Sequence, residues 1–446
     1  MNGQREQWTT RTGFILAAAG SAVGLGNIWR FPYVAGENGG AAFLVLYLII
    51  IALIGYPVML SEMTLGRKTQ KNPVGAFLSM APGTPWWVVG GMGVFAGFVI
   101  LSFYSMVAGW SLAYMFKSLA GFTPGMDFVD LFIGHIYSPT EPLIWHAVFM
   151  VLTLAIIGTG VVKGIQRWVK ILMPALLVLL AILVVRGLTL PGAFAGIEFY
   201  LRPDFSQITA DTFLAAVGQS FFTLSLGMGA MITYGSYLKK DEIISDNAAW
   251  VVGLDTGIAI IAGFAIFPAV FALGFEPSVG AGLAFITLPA VFASMPFAGS
   301  FFSFLFFLLL SVAALTSAIS LLEVVVAWLV DEKGWPRFKA ALLMGITIFV
   351  IGIPTSPGIM SGFNFLGGDV MDLYELIAND IALPLGGLLT AVFVGHVWTN
   401  KKAQEEMNTP KGKIFVGDWF GVLIKYVIPI AVAVILISGL YSKFTG

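Results

Sequence analysis

Two short stretches carry residue types that an apolar segment tolerates badly. In SAVGLGNIWRFP (21–32), Gly24 and Gly26 precede Asn27 and Arg30, and in SLGMG (225–229), Gly227 and Gly229 follow Ser225. Glycine lets a backbone leave the helix. A turn that does so at mid-membrane frees amides and carbonyls, each costing several kcal/mol unless something occupies it. Helix-end amides suit a carboxylate, and freed carbonyls suit sodium. The chemistry on offer is therefore capture of an ion and a small zwitterion. Glycine pairs also serve as close helix contacts, but here both breaks fall near the middle of a span and both have polar neighbours.

Other chemistries lack their residues. No histidine precedes glutamate in a zinc-binding pattern, no GxxxxGK[ST] phosphate loop is present, and Leu366-Gly367-Gly368-Asp369 lacks the first glycine of a GxGD protease signature. The absence of cysteine removes disulfides and thiolate metal sites. These gaps exclude the common intramembrane hydrolases and ATP-driven pumps, and the reading is a carrier, not an enzyme.

The elements that must position the two stretches are membrane helices. The chain is 58% hydrophobic and 11% charged, with a mean hydropathy of +0.92, against about 25% charged residues in a soluble domain. Apolar segments long enough to cross a bilayer are expected near 12–36, 41–65, 87–117, 144–161, 169–188, 211–237, 244–273, 298–330, 339–354, 370–397 and 420–442, eleven in all. The runs are too long and too uniformly apolar for barrel strands, so the expected class is all-α. The polar amino end predicts that no leader is cleaved from it.

With the amino end in the cytoplasm, all of the 23 Lys and Arg residues except Arg30, Lys117, Arg186, Arg202 and Lys443 fall on the inner side. This is a positive-inside pattern, with the carboxyl end outside. The broken spans, first and sixth, are five helices apart. A five-helix unit begins and ends on opposite faces, so a second copy enters upside down. One transporter domain over 1–446 is expected, with a five-helix repeat over 11–188, an inverted copy over 211–397 and an additional helix over 420–442.

The run from Arg5-Glu6-Gln7-Trp8 through GSAVGLGNIWRFPY and GENGGAAF, together with AAVGQSFFTLSLGMGA and AALTSAIS, resembles the neurotransmitter:sodium symporter family over essentially the whole chain. The resemblance implies a LeuT-type 5+5 inverted-repeat fold with helices 1 and 6 unwound at mid-membrane. It also implies sodium-coupled symport by alternating access in a bacterial cytoplasmic membrane, two sodium ions per substrate, and a functional monomer that engages no nucleic acid.

By the same resemblance, the first sodium site maps onto Ala22, Asn27, Thr223 and Asp255, all hard oxygen ligands. The second maps onto Gly20, Val23, Ala313, Thr316 and Ser317. Asp255 departs from the family's usual asparagine, and Ala259 stands where animal relatives carry a chloride-binding serine beside residues matching Tyr47, Gln219 and Thr223. A fixed carboxylate at Asp255 would supply the missing negative charge, so chloride independence is expected.

The amides of Leu25 and Gly26 and the Tyr104 hydroxyl match the family's carboxylate clamp, with Gly24 leaving room for the carboxylate itself. The substrate amine would meet Ala22, Phe222, Thr223 and Ser225. Ile100, Phe222, Met228 and Leu321, with Ser317 nearby, would set side-chain selectivity. These residues favour hydrophobic L-amino acids of the Leu, Phe, Trp, Ile, Val, Met and Tyr type, and the adaptable Met228 favours breadth. Arg30 with Asp372 matches an outer gate, and Arg5 with Asp331 and Trp8 an inner one. Gly164 and Pro174 match an element of the fifth helix that loosens toward the inside. Glu62, Glu323, Asp380, His146 and His396 receive no role, although Glu323 shares a helix with the second sodium site and could relay protons.

Overall fold

The computed structural model describes residues 6–275, 282–295 and 297–445, most of which are helical. Fourteen helical segments organise the chain: α1 (Arg11–Ala22), α2 (Gly26–Glu37), α3 (Ala41–Thr69), α4 (Trp87–Leu119), α5 (Phe128–Ile136), α6 (Glu141–Ile157), α7 (Val161–Leu188), α8 (Ala210–Thr223), α9 (Ala230–Gly235), α10 (Ile244–Ala272), α11 (Gly299–Lys333), α12 (Arg337–Thr355), α13 (Val370–Val397) and α14 (Asp418–Tyr441). Shorter helices at Pro73–Met80, Ala193–Leu201, Leu283–Ala293 and Asn400–Met407 lie in the connections.

Among the described residues, eight helices are long and apolar enough to cross a membrane, and ten spans result if α1 with α2 and α5 with α6 each form one. The sequence expected eleven. The difference is the segment expected over 211–237, which is divided between the 14-residue α8 and the 6-residue α9, neither long enough alone. Element bounds also differ between the fourth and fifth expected spans. α6 stops at Ile157 rather than 161 and α7 starts at Val161 rather than 169. The reason is a tight turn over 158–160, where Gly160 adopts φ +103°, a conformation that only glycine enters freely.

The core is formed by the 35-residue α11 packed along α4, with α1 and α9 against α11, while α8 packs on α3. Of the most apolar window of α11, 83% is buried, against 28% for α7 and 33% for α12 and α14, which therefore turn apolar faces outward. Small residues bring backbones together where the break must be held. A methyl on Gly235 would sit 2.6 Å from the Met63 carbonyl, and one on Gly66 would strike the Ile232 carbonyl, so α3 grips α9 through backbone contact.

Candidate functional site

Helix α1 starts on Thr10, whose side chain accepts from the Gly13 amide, and stops at Ala22, where Val23 turns extended (φ −74°, ψ 108°). The chain resumes in a π-helical turn at Gly26–Arg30, bent 52° from α1. The backbone groups released here are taken by side chains from distant elements. The Ser21 carbonyl accepts from Ser225 Oγ (2.9 Å) and Ser317 Oγ (3.0 Å), and the Val23 carbonyl from Thr316 Oγ1 and Ser317 Oγ (both 3.2 Å). The Gly26 carbonyl accepts from Gln219 Nε2 (2.9 Å), while the Leu25 amide donates to the Tyr104 hydroxyl (3.1 Å). Hydroxyls and an amide thus stand where a bound ion or zwitterion would compete for the same groups.

Between α8 and α9 the backbone enters the left-handed region three times, at Ser225 (φ 53°), Gly227 (φ 78°) and Gly229 (φ 74°). The Gly227 amide is met by Glu62 Oε1 from α3 at 2.7 Å, while Oε2 of the same buried carboxyl has no hydrogen-bond partner. A side chain at Gly227 would collide with the Leu383 carbonyl of α13. Glu62, given no role from sequence, supports this break.

Behind the breaks lies Asp255 of α10, fully buried. Asn27 Nδ2 donates to its Oδ1 at 2.7 Å, and Thr223 Oγ1 at 3.0 Å. Both donors are neutral, and among the described residues no ion pair reaches Asp255. A carboxylate at that depth asks for a cation, and the donor set of carboxylate, amide and hydroxyl oxygens fits a small hard one. Ala259 lies one helical turn further along the same face and is also buried. At the second cluster the Ala313 carbonyl also accepts from Thr316 Oγ1 (2.9 Å), and Gly20 abuts both Thr316 and Met173.

A cavity of about 310 Å³ opens between these clusters, lined by Ser21, Ala22, Gly24, Gly26, Ile100, Tyr104, Phe222, Ser225, Met228, Ser317 and Leu321. Ten of these are substrate residues expected from sequence. Of the other two expected, Thr223 turns to Asp255, and Leu25 lines a second cavity of about 390 Å³ on the Arg30 side. Tyr104 and Phe222 line both cavities and form the partition between them. Sequence reasoning missed Ser21 and Ser320, whose hydroxyls bond at 2.7 Å beneath the first cavity.

The expected gates are arranged unevenly. Arg30 does not pair with Asp372: its Nη1 donates to Gln219 Oε1 (2.9 Å) and its guanidinium lies 5.2 Å from the Phe222 ring. Asp372 is engaged with Asp369 in a capping box at the start of α13. Glu375 and Asn379, one and two turns further along α13, line the Arg30 cavity instead. On the opposite side Trp8 is 3% exposed, its Nε1 donating to the Tyr234 carbonyl (3.0 Å), its ring against Tyr234 and Tyr237. Asp331 accepts from the Asn72 amide (3.0 Å), and Arg5 lies outside the described residues. Glu323 accepts from the Tyr237 hydroxyl (2.5 Å) and pairs with Arg337, which makes it a link between α11, α12 and the turn that follows α9.

Gly164 falls in a π-helical turn that opens α7, and Pro174 lies within the same helix. Glu6 accepts from the Val161 amide (2.5 Å), and Thr9 bonds Gln166, so the amino-terminal segment is fastened to this turn. His146 contacts Ser105 Oγ at 2.8 Å and Asp380 pairs with Lys443 at 2.6 Å, both away from the cavity.

Two interrupted helices around a cavity lined almost wholly by buried residues, with cation-seeking oxygens beside it, define a membrane carrier. The chain matches the family model described as the Sodium:neurotransmitter symporter family over residues 5–127 and 135–445. It is 40% identical over 439 residues to the uncharacterized sodium-dependent transporter YhdH of Bacillus subtilis, covering 97% of each chain. It is 38% identical over 458 residues to an uncharacterized sodium-dependent transporter of Haemophilus influenzae, covering 99% of each. Among solved structures, MhsT in complex with L-phenylalanine superposes with a TM-score of 0.90 at 49% identity, over 97% of this chain and 99% of that one. The chain belongs to the sodium:neurotransmitter symporter family. It is a sodium-dependent membrane transporter and not an enzyme.

Proposed function

We propose that the protein couples inward movement of sodium to uptake of hydrophobic L-amino acids, with two sodium ions per substrate and without chloride. The observation that carries this reading is the shape of the cavity. Freed backbone, Tyr104 and the serines offer a polar end for a zwitterion, while Ile100, Phe222, Met228 and Leu321 offer an apolar end for its side chain. The phenylalanine complex of MhsT supports a substrate of this class.

In this reading the substrate carboxylate lies at the amides of Leu25 and Gly26 and the Tyr104 hydroxyl, and its amine meets Ala22, Phe222, Thr223 and Ser225. Ala22, Asn27, Thr223 and Asp255 hold one sodium ion, and Gly20, Val23, Ala313, Thr316 and Ser317 the other. Asp255 supplies the anionic charge that chloride would otherwise bring. The two breaks are the unwound centres of an inverted repeat of 11–188 and 211–397 in an eleven-span monomer, amino end inside and carboxyl end outside. Two inward charges each draw about 2.3 kcal/mol per 100 mV of membrane potential, enough for steep accumulation.

The test is binding of labelled leucine and tryptophan to purified protein, with sodium replaced by potassium and, separately, chloride by gluconate. Binding of both substrates that vanishes in potassium and persists in gluconate is expected. Binding that survives potassium, or that needs chloride, overturns the respective part.

A further inference from the structure

The carboxyl-terminal end of α7 meets the amino-terminal end of α11 across an open groove of about 640 Å³, lined by Ala181, Ile182, Val185, Arg186, Thr189 and Phe302. Its walls belong to the outward apolar face of α7, where Val178, Ile182 and Val185 are 60%, 39% and 63% exposed. Five of the six lining residues carry no charge. The sixth is Arg186, one of the few basic residues on the side opposite the Lys- and Arg-rich face.

Arg186 is singular in its surroundings. Its Nε is buried without a hydrogen-bond partner, and among the described residues its guanidinium forms no ion pair. Its guanidinium lies over the Phe302 ring, 5.3 Å away. A guanidinium presents five N–H donors in a planar fork and does not lose its proton, so burying part of it against apolar walls calls for an anion. Among the described residues, no carboxylate supplies it. The residue lies two positions before the end of α7, about 3 Å along the axis, which is the depth of lipid headgroups for a helix of this length. Beside it Val185, and about one turn deeper Ile182 and Ala181, offer only hydrocarbon.

We propose that this groove is a binding site for a glycerophospholipid of the leaflet on that side, its phosphodiester held by Arg186 and one acyl chain laid along α7 and Phe302. A phosphate oxygen pair matches the guanidinium fork, and the acyl chain explains why a charged residue opens onto an apolar trough rather than water. The proposal rests on the chain crossing a membrane, not on its substrate.

Native mass spectrometry of the full-length protein decides it. The probes are phosphatidylglycerol, a glucosyl diacylglycerol with the same chains but no phosphate, and soluble glycerol phosphate. The wild-type protein is expected to retain phosphatidylglycerol at least fivefold more tightly than the glycolipid. That preference should disappear in Arg186→Gln and persist in part in Arg186→Lys, and glycerol phosphate should not displace the lipid. Equal retention of the two lipids by the wild-type protein overturns the proposal without recourse to any variant. So does an unchanged preference in Arg186→Gln, and displacement by glycerol phosphate would make the groove a site for soluble anions instead.

Discussion

At the scale of single residues, the site is governed by what is missing around Asp255 and Gly24. Asp255 has hydrogen bonds but, among the described residues, no positive partner, which on the proposed function leaves its charge to a transported cation. Asp255→Asn keeps the shape and removes the charge. The expected outcome is weaker sodium activation of substrate binding, on the order of tenfold, restored in part by chloride; a sodium titration unaltered by the substitution would remove Asp255 from the ion site. Gly24 is informative through the methyl it lacks. A Cβ there would collide with Ser317 Oγ and lie 2.7 Å from the Tyr104 hydroxyl, in the space that the proposed function gives to the substrate carboxylate. Overpacking of this kind costs about 1–3 kcal/mol, so Gly24→Ala should weaken leucine binding by roughly tenfold or more, measured on purified protein in saturating sodium. Most of this shell was legible in the sequence, because glycines, Asn27 and Asp255 are conspicuous in apolar runs. Ser21 and Ser320 were not, because a serine in a membrane helix ordinarily bonds its own backbone one turn back, as Ser320 does to the Ser317 carbonyl, and only the fold adds the bond from Ser21 Oγ to Ser320 Oγ.

At the scale of elements, the sequence announced where helices fail but not how the failures are held. The glycines of 225–229 mark the end of α8, yet the carboxyl that satisfies Gly227 comes from α3 and the carbonyl that excludes a side chain there comes from α13. Neither is near in sequence. The same holds for the π-helical turns at Gly26–Arg30 and Val161–Gln166, which leave no hydrophobic period to read and arise from packing. The Arg30 gate shows the limit from the other side: Asp372 was reached by resemblance, whereas the structure turns Asp372 into a helix cap and brings Glu375 to the Arg30 cavity. Gly227→Ala would force φ near +78° on a residue with a side chain and press it onto Leu383. Strain of this type costs about 1–3 kcal/mol before the clash, so the thermal unfolding temperature should fall by several degrees. Gly253→Ala, where a methyl meets nothing within 4 Å, is the matched control and should leave it unchanged.

At the scale of the molecule, the two ends of the cavity are sealed by different means. Toward Arg30 the partition is two side chains, Tyr104 and Phe222, with a further cavity beyond. Toward the opposite face the seal is Trp8 buried against Tyr234 and Tyr237, backed by Glu323, which joins Tyr237 to Arg337. Removing one partner of a buried pair costs about 3–5 kcal/mol, because the other is left uncompensated. Glu323→Gln should therefore loosen the seal without touching the cavity, and Trp8→Ala should do so by emptying it. The chain has no cysteine, so Ser21→Cys installs a sole thiol in the cavity wall. In potassium without substrate, alkylation of this thiol by an impermeant reagent applied from the Trp8 side should be at least tenfold faster in either double variant than in Ser21→Cys alone. Sodium with leucine should slow it again if ligands complete the interrupted helices and draw them together. Rates from that side that do not respond to Trp8 or Glu323 would show that the aromatic plug and its ion pair are not what closes the path.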